Sequence, residues 1–469
     1  MKKFLLSLIF FACLSIVYTQ TIPKLPNTIS VEQKLYELSM IWKEVVYNLD
    51  NFQNDDQQNL DILYRSYIPK IMETANDLDY YKTMQQFLAH CNNGHTNVWD
   101  FNNSNLDTLI ARPYLQTIYR EGKIYVENIA DYHAENLNIG DEIMEINQIN
   151  AVDYIKQYFV PYFSVTNEED KIHRAMFARG LGYFFSLNTP FILKVQDVTT
   201  HQLKTVTIYA DRTMNDSGDK WIEHNFNHVR TNFFYQDTIK RISYIRIVEN
   251  SQESAIFFAN HISEISQSKN IILDLAEDWG GSSTYNNVIY NYLINKDSIE
   301  SVLYTSRFHS PAFKGLGKDY CLGKYGDNKD VVDYYCTYYQ GTAYSSLYPR
   351  NFQGKQSTVP DRFQGNVYVI IGRNCGSAGE DLAAMLAQDE KIIFLGGKTS
   401  GCMGRPYVVN LPSGLEVFIE TQKVYNVKQE DISAGLSPHY YIDFYDCYKT
   451  NSPQLLLDCL WSKIENVLK

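Results

Sequence analysis

Apolar and polar residues follow three different rhythms along this chain. From about residue 28 to 91, Leu35, Leu38, Ile41 and Val45, then Leu60, Ile62 and Leu63, then Met84, Phe87 and Leu88 recur at helical spacing. That block ends in the polar turn Asn92-Asn93-Gly94-His95-Thr96-Asn97, which leads toward a strand. Between about 110 and 210 the rhythm shortens. The runs Ile124–Val126, Phe191–Val195 and Thr205–Ile208 surround Ile139–Ile149, a glycine turn followed by alternating apolar and polar residues. This spacing predicts short, half-buried strands.

From about 240 strands alternate with helices. Strand Ile242–Val248 precedes a helix over 252–267, then a buried strand at Ile271–Leu275 and a helix over 285–294. The run 367–371, a helix over 378–388 and a strand at Ile392–Leu395 continue the alternation, and a hairpin turns at Pro412-Ser413-Gly414. Buried strands joined through helices imply an α/β sheet. Residues 305–362 interrupt it and read as a long irregular insertion, with Tyr334, Tyr335, Tyr338, Tyr339, Tyr344 and Tyr348 close together. Such aromatic density argues against disorder, so a substrate-facing lid is expected. A helix over 451–469 closes the chain.

Composition narrows the function. The chain has 469 residues, 45% hydrophobic, which is enough for several domains. A net charge of −12 without a dense Lys/Arg run excludes an electrostatic nucleic-acid binder. Lys2-Lys3 followed by the apolar run Phe4–Tyr18 reads as a secretory signal peptide over 1–19, so a secreted or periplasmic protein is expected. Cys13 offers lipid anchoring as the alternative. No second membrane segment is evident. Setting Cys13 aside leaves Cys91, Cys321, Cys336, Cys375, Cys402, Cys447 and Cys459, an odd set in a compartment that permits disulfides. Cys321–Cys336 and Cys447–Cys459 are the local pairs to test, though spacing does not fix pairing. No Cys-x-x-Cys pattern occurs, and His224 and His228 lack the intervening glutamate of a zinc-protease helix. Neither metal nor organic cofactor is implied.

The chemistry centres on Asn374-Cys375-Gly376-Ser377-Ala378-Gly379-Glu380-Asp381, which joins an apolar strand to an amphipathic helix. A serine there sits at a helix N-terminus, where unpaired N–H groups and the dipole stabilise developing negative charge. The plain alternative is a helix-capping serine. Glu380 and Asp381 fall in the first helical turn and are expected to stabilise that terminus rather than to react. His95, in its polar turn, has a side chain suited to accept and then return a proton near neutral pH.

Taken in order, Gly94-His95-Thr96, the Ile139–Ile149 segment, Asp274-Leu275 with Gly280-Gly281, and Ser377–Asp381 resemble the tail-specific (C-terminal processing) and tricorn-like serine peptidases. The resemblance covers about residues 30–445. It implies an α/β multidomain protein with a crotonase-like catalytic core. The implied layout is an N-terminal helical region over 28–105 carrying His95, a PDZ-like β-rich domain over 110–212, and a core over 235–450 containing the insertion. In the processing-protease branch a lysine twenty-five residues after the serine is the base. Here that turn is Thr399-Ser400-Gly401-Cys402-Met403, with Cys402 in the lysine's place and Lys398 displaced. The tricorn-like branch uses a histidine, and His95 resembles it.

The resemblance therefore implies Ser377 as nucleophile, His95 as general base, and an oxyanion site from Ala378 with Gly280 or Gly281. The acid that orients the histidine departs from the family pattern. Ala434-Gly435-Leu436-Ser437-Pro438 fits, but Ile432 stands where a glutamate belongs and His439 where an aspartate does. Glu430, then Asp431, are the nearest carboxylates. The implied partner is a polypeptide substrate. A degenerate peptide-binding relative and a serine esterase are the competing readings.

Overall fold

The structure, a computed structural model, describes residues 27–51, 56–100, 110–130, 133, 135–176, 185–213, 221–222, 225–226, 230–296, 299–324, 328–349 and 362–469. The leader reading over 1–19 with Cys13, and the His224/His228 pair, lie outside the described residues. The protein is a mixed α/β chain of several sheets and helices. Among the described residues no helix is long and apolar enough to cross a membrane.

The central sheet has six strands in the order Phe233–Asp237, Ile242–Arg246, Asn270–Asp274, Asn366–Ile371, Ile392–Gly396 and Tyr440–Tyr441. Its first pair is antiparallel and the rest are parallel. Residues one apart on a strand face opposite sides. Ile271, Leu273, Val367 and Val369 thus enter one core with the Asn287–Leu293 and Ala378–Leu386 helices. Ile272, Tyr368 and Ile370 enter another, closed by Leu456, Leu460 and Ile464 of the terminal helix Pro453–Leu468. The 252–267 segment is helical in two pieces, Gln252–Asn260 and Ile262–Ile265.

A second, antiparallel sheet runs Leu115–Arg120, Lys123–Ile129, Glu142–Ile146, Thr189–Gln196, Leu203–Ala210. It shares a core with the N-terminal helices Val31–Asn48, Asp56–Met72 and Asp77–Ala89, and with the hairpin Pro406–Asn410/Glu416–Glu420. The third edge of that hairpin is strand Asn97–Asp100, so residues over 300 positions apart become sheet neighbours.

Among its described residues the insertion is largely helical. Helices Pro311–Cys321 and Lys329–Gln340 form a hairpin stapled by Cys321–Cys336. Tyr334/Tyr338 and Tyr335/Tyr339 recur four apart, which is a helical period. Phe313 meets Tyr335 and Tyr338 across the hairpin, and Gly317 is needed because a Cβ there would lie 2.2 Å from the Tyr335 carbonyl. Cys447–Cys459 is the second disulfide, while Cys91, Cys375 and Cys402 are free.

Candidate active site

Ser377 follows the carboxyl end of the central strand Asn366–Ile371 and stands at the N-cap of the Ala378–Leu386 helix. Open parallel sheets bind ligands at that edge. The capping alternative does not describe its side chain, which makes no capping hydrogen bond. Its backbone has φ 52° and ψ −121°, a left-handed conformation that costs a non-glycine residue on the order of 1–3 kcal/mol. Neighbours over-determine it. The Ser377 N–H donates to the Cys402 carbonyl at 2.6 Å, and Gly376 N–H to the Asp278 carbonyl at 2.9 Å.

The turn Thr399–Cys402 is fixed by Glu380, whose carboxylate reaches out of the helix rather than capping it. Its oxygens accept from Thr399 Oγ1, from Gly401 N–H at 2.8 Å and from Cys402 N–H at 2.9 Å. Burial pushes the Glu380 carboxyl up to about 7, although these donors pull the other way. Asp381 likewise bonds outward, to Ser283 Oγ and the Tyr304 hydroxyl. The first helical turn therefore holds the surrounding loops in place.

His95 lies where the Asp77–Ala89 helix has ended and strand Asn97–Asp100 begins. That strand pairs antiparallel with Glu416–Glu420, Asn97 opposite Phe418. Continued two residues outward, the same register sets His95 opposite Glu420, and His95 Nδ1 is hydrogen-bonded to Glu420 Oε2. Both side chains are buried. The imidazole donates from Nδ1 to a carboxylate, and a second side-chain hydrogen bond joins it to Cys402, on the turn that accepts the Ser377 N–H. Burial works against an imidazolium here, but Cys402 and Glu420 outweigh it and hold His95 well above its ordinary range.

Three contacts join the histidine turn to the serine turn. A Cβ on Gly94 would meet Cys402 Cβ at 3.0 Å and Sγ at 3.1 Å, so Cys402 packs directly on the histidine loop. Thr166 Oγ1 accepts from Gly94 N–H at 3.2 Å and donates to the Gly401 carbonyl at 2.5 Å. Cys402 itself accepts the Ser377 N–H. The displaced Lys398 is occupied elsewhere, its Nζ on Asn167 Oδ1 at 3.1 Å.

Gly280 and Gly281 have φ 106° and 136°. A Cβ on Gly280 would lie 2.6 Å from Ser377 Cβ, so only glycine lets this loop approach the serine. The Gly280 N–H donates to Asp278 Oδ1 at 3.1 Å. Asp278 is fully buried, and burial holds its carboxyl well above the carboxylate range. Its Oδ2 and the Asn250 Oδ1 are buried without a hydrogen-bond partner.

The two carboxylates expected to orient the histidine stand elsewhere. Glu430 is exposed, with Oε2 on Asn426 Nδ2 at 2.7 Å, and Asp431 is exposed and accepts the Ser433 N–H at 2.9 Å. The carboxylate on the imidazole is Glu420. Its sequence signal was the alternating strand Glu416-Val417-Phe418-Ile419-Glu420 after the 412–414 turn, in which Val417 and Ile419 are buried and Glu420 is buried beside them. Among the described residues no cluster of side chains forms a metal site.

A serine on a strained strand-to-helix turn, close to glycines and joined through Cys402 to a carboxylate-bound histidine, carries the group types that acyl-transfer hydrolases use. Comparison with known proteins gives the family. Residues 241–442 match the model of Peptidase family S41. The solved structure of mature CPAF complexed with lactacystin superposes with a TM-score of 0.66 at 14% identity, covering 93% of this chain and 98% of that one. Mature CPAF in a second crystal structure gives 0.65, again at 14% identity and the same coverage. No curated protein sequence matches. Over residues 241–442 the chain is therefore similar to the serine-type peptidases of family S41, and its overall fold is that of mature CPAF.

Proposed function

We propose that this protein is a secreted or periplasmic serine peptidase that cleaves polypeptides through an acyl-enzyme on Ser377. His95 takes the Ser377 proton as Oγ attacks the peptide carbonyl; Glu420 fixes the tautomer that makes Nε2 the acceptor, and Nε2 exchanges its Cys402 contact for the serine hydroxyl. The tetrahedral oxyanion is received by the Ala378 N–H at the helix start and by one N–H of the Gly280-Gly281 loop. His95 then protonates the leaving amine, and water, deprotonated by the same nitrogen, releases the acyl group. Charge and protons balance at each step without a cofactor.

The observation that carries this reading is the set of contacts through Cys402, which bring the Ser377 turn and the His95–Glu420 pair to one residue. Residues 110–212 are read as a PDZ-like domain and 235–450 as a crotonase-like core. The antiparallel sheet leaves Leu115–Arg120 and Leu203–Ala210 as edge strands, so an extended polypeptide can add as a further strand.

Fluorophosphonate labelling of the wild type beside Ser377→Ala and His95→Ala, with the labelled site mapped by mass spectrometry, tests the mechanism. The expected result is labelling at Ser377, abolished by the first substitution and strongly slowed by the second. A folded wild type that takes no label would move the assignment to a peptide-binding relative. Labelled protein that turns over esters but no peptide would favour an esterase. Lactacystin, found on mature CPAF, is a second probe for the same serine.

A further inference from the structure

Behind the His95–Glu420 pair lies a buried carboxyl that the mechanism above does not use. Asp50 follows the C-terminal end of the Val31–Asn48 helix and is 3% exposed. Its N–H donates to the Glu420 carbonyl at 3.1 Å, and its Oδ1 accepts from Asn93 Nδ2 at 3.3 Å. Asn93 Oδ1 in turn accepts the His95 N–H at 2.9 Å and Thr96 Oγ1 at 3.4 Å. Thr96 Oγ1 accepts the Glu420 N–H at 3.1 Å. Asp50, Asn93, Thr96 and Glu420 therefore close a ring of hydrogen bonds that holds the His95 and Glu420 backbones.

The insertion grips the same helix end. Arg307 Nη1 donates to the Val46 carbonyl and His309 Nε2 to the Tyr47 carbonyl, each at 2.7 Å. The His309 and Tyr47 rings stack with centroids 3.8 Å apart. Tyr344, paired with Arg307 by a β-bridge, donates its hydroxyl to the Asp50 carbonyl at 2.5 Å. Both donors from 307 and 309 meet carbonyls at a helix C-terminus, where cationic or N–H groups are favourable. One path from the insertion to the histidine turn thus runs through Asp50, and a second reaches Glu420 through Tyr348 and Gln422.

We propose that Asp50 is a positioning residue for His95, and that the 303–349 insertion regulates the peptidase site by holding Asp50 through Tyr344. Asn93 cannot turn without releasing the His95 N–H, and Asp50 cannot move without releasing Glu420. The charged and titratable groups around Asp50 are Glu420 and Lys423 from one side, Cys91 from the helix before the histidine turn, and Tyr344 from the insertion. Burial, with the Glu420 charge, pushes the Asp50 carboxyl up to about 7, although local N–H groups and Lys423 oppose this. Near neutral pH, Asp50 therefore passes from neutral to charged beside the carboxylate that holds the imidazole. A second negative charge there strengthens the hold of His95 on its proton.

The regulatory half of this inference rests on the serine-peptidase reading; the positioning half does not. Two readouts keep them apart. The first is the titration of the His95 ring in ¹⁵N-histidine-labelled protein, assigned by comparison with His95→Gln. The second is the fluorophosphonate inactivation rate at Ser377 across pH, resolved into maximal rate and half-saturating concentration. Asp50→Asn keeps an acceptor for Asn93 and removes the charge; it is expected to weaken His95 proton affinity about tenfold. It also flattens the inflection of the labelling rate near neutrality. Asp50→Ala and Tyr344→Phe are expected to lower the maximal labelling rate, the former by about 10- to 100-fold and the latter by a few-fold, with little change in the half-saturating concentration.

Unchanged His95 titration in Asp50→Asn, with unchanged labelling in Asp50→Ala, would overturn the positioning role. Unchanged labelling in Tyr344→Phe beside a slowed Asp50→Ala would overturn the link to the insertion. Should Asp50→Ala fail to fold, Asp50→Asn and Tyr344→Phe decide both points. If wild type takes no label, the peptidase reading fails. The His95 titration then decides Asp50 alone: a shift supports its role and none overturns it.

Discussion

His95 Nδ1 is bonded to the carboxylate of Glu420, a residue 325 positions further along the chain. The pairing of Asn97–Asp100 with Glu416–Glu420 produces this meeting, and the backbone register determines it before any side chain is considered. A slip by one residue would send the Glu420 side chain to the other face of its strand. The backbone N–H groups of Thr421 and Gln422 donate to the other carboxylate oxygen, Oε1, at 3.0 and 3.3 Å. Glu420 is therefore held on both oxygens, one by backbone and one by the imidazole.

Glu420→Gln is expected to lower the rate of Ser377 labelling and of peptide turnover by roughly 10²- to 10⁴-fold, because an amide does not enforce the productive tautomer. The fold should survive, since the change is nearly isosteric. Glu430→Gln, on an exposed loop, should stay within about twofold of wild type. Equal losses from the two substitutions, measured as labelling rate constants on folded protein, would reject Glu420 as the orienting acid.

Much of this site was legible in the sequence because its parts are local. The Ser377 turn, the Gly280-Gly281 loop and the polar turn at His95 each announce themselves within a few residues of small or polar character. Continuous apolar runs mark the central strands, since residues one apart feed two different cores and both faces are buried. The acid was not legible in the same way. Glu420 is defined by a strand pairing across most of the chain, and no local spacing encodes that register. The family pattern near Pro438 does not reach it, because Ile432 and His439 break that pattern. The helices of the insertion are hidden for a different reason: its tyrosines carry a helical period, but Gly315, Gly317 and Gly323 interrupt the segment. Gly317 is there for the close approach of two helices.

Gly280→Ala is expected to damage the site from two directions. Its φ of 106° is one that an L side chain rarely adopts, which costs about 1–2 kcal/mol. The added Cβ would also lie 2.6 Å from Ser377 Cβ and 2.9 Å from the Gly376 carbonyl. Labelling at Ser377 should fall by about 10²-fold or more in protein that still unfolds cooperatively. A variant that labels at the wild-type rate would show that this loop does not shape the serine's surroundings. Gly122→Ala, also at positive φ but with open space around it, isolates the backbone cost from the contact.

The pH response of labelling should reflect the neighbours of His95. Cys402 and Glu420 hold its pKa well above the ordinary histidine value, against burial. A general base must be unprotonated, so the labelling rate should rise with pH through a midpoint above about 6.5. Cys402→Ala removes one of the two groups that favour the imidazolium, and the midpoint should move to lower pH. A midpoint indifferent to Cys402→Ala would remove the thiol from the electrostatics of the site. Alkylation of Cys402 by iodoacetamide in the wild type should slow labelling as well, because the thiol packs against the histidine loop.

Buried acids give the whole fold an unusual pH dependence. Glu380 rises from 4.5 to about 7 and Asp50 from 3.8 to about 7, in both cases chiefly by burial. Asp278 lies well above 3.8 for the same reason. An acid with a raised folded pKa keeps its proton in the folded state where the unfolded chain has lost it. The folded protein then binds more protons, and its stability falls as pH rises from the unfolded value to the folded one. The window runs from about pH 4 to about 7 for Glu380 and Asp50, and the raised Asp278 acts in the same direction. For Glu380 alone the shift corresponds to at most about 3 kcal/mol. Chemical unfolding at pH 5 and pH 8 should therefore show the greater stability at pH 5, opposite to a protein governed by surface ion pairs. Asp278→Asn should reduce this slope, because its amide stays neutral at every pH while Oδ1 still accepts the Gly280 N–H. Stability that instead rises steadily from pH 5 to 8 would mean that burial does not hold these three carboxyls above the ordinary range in the folded protein.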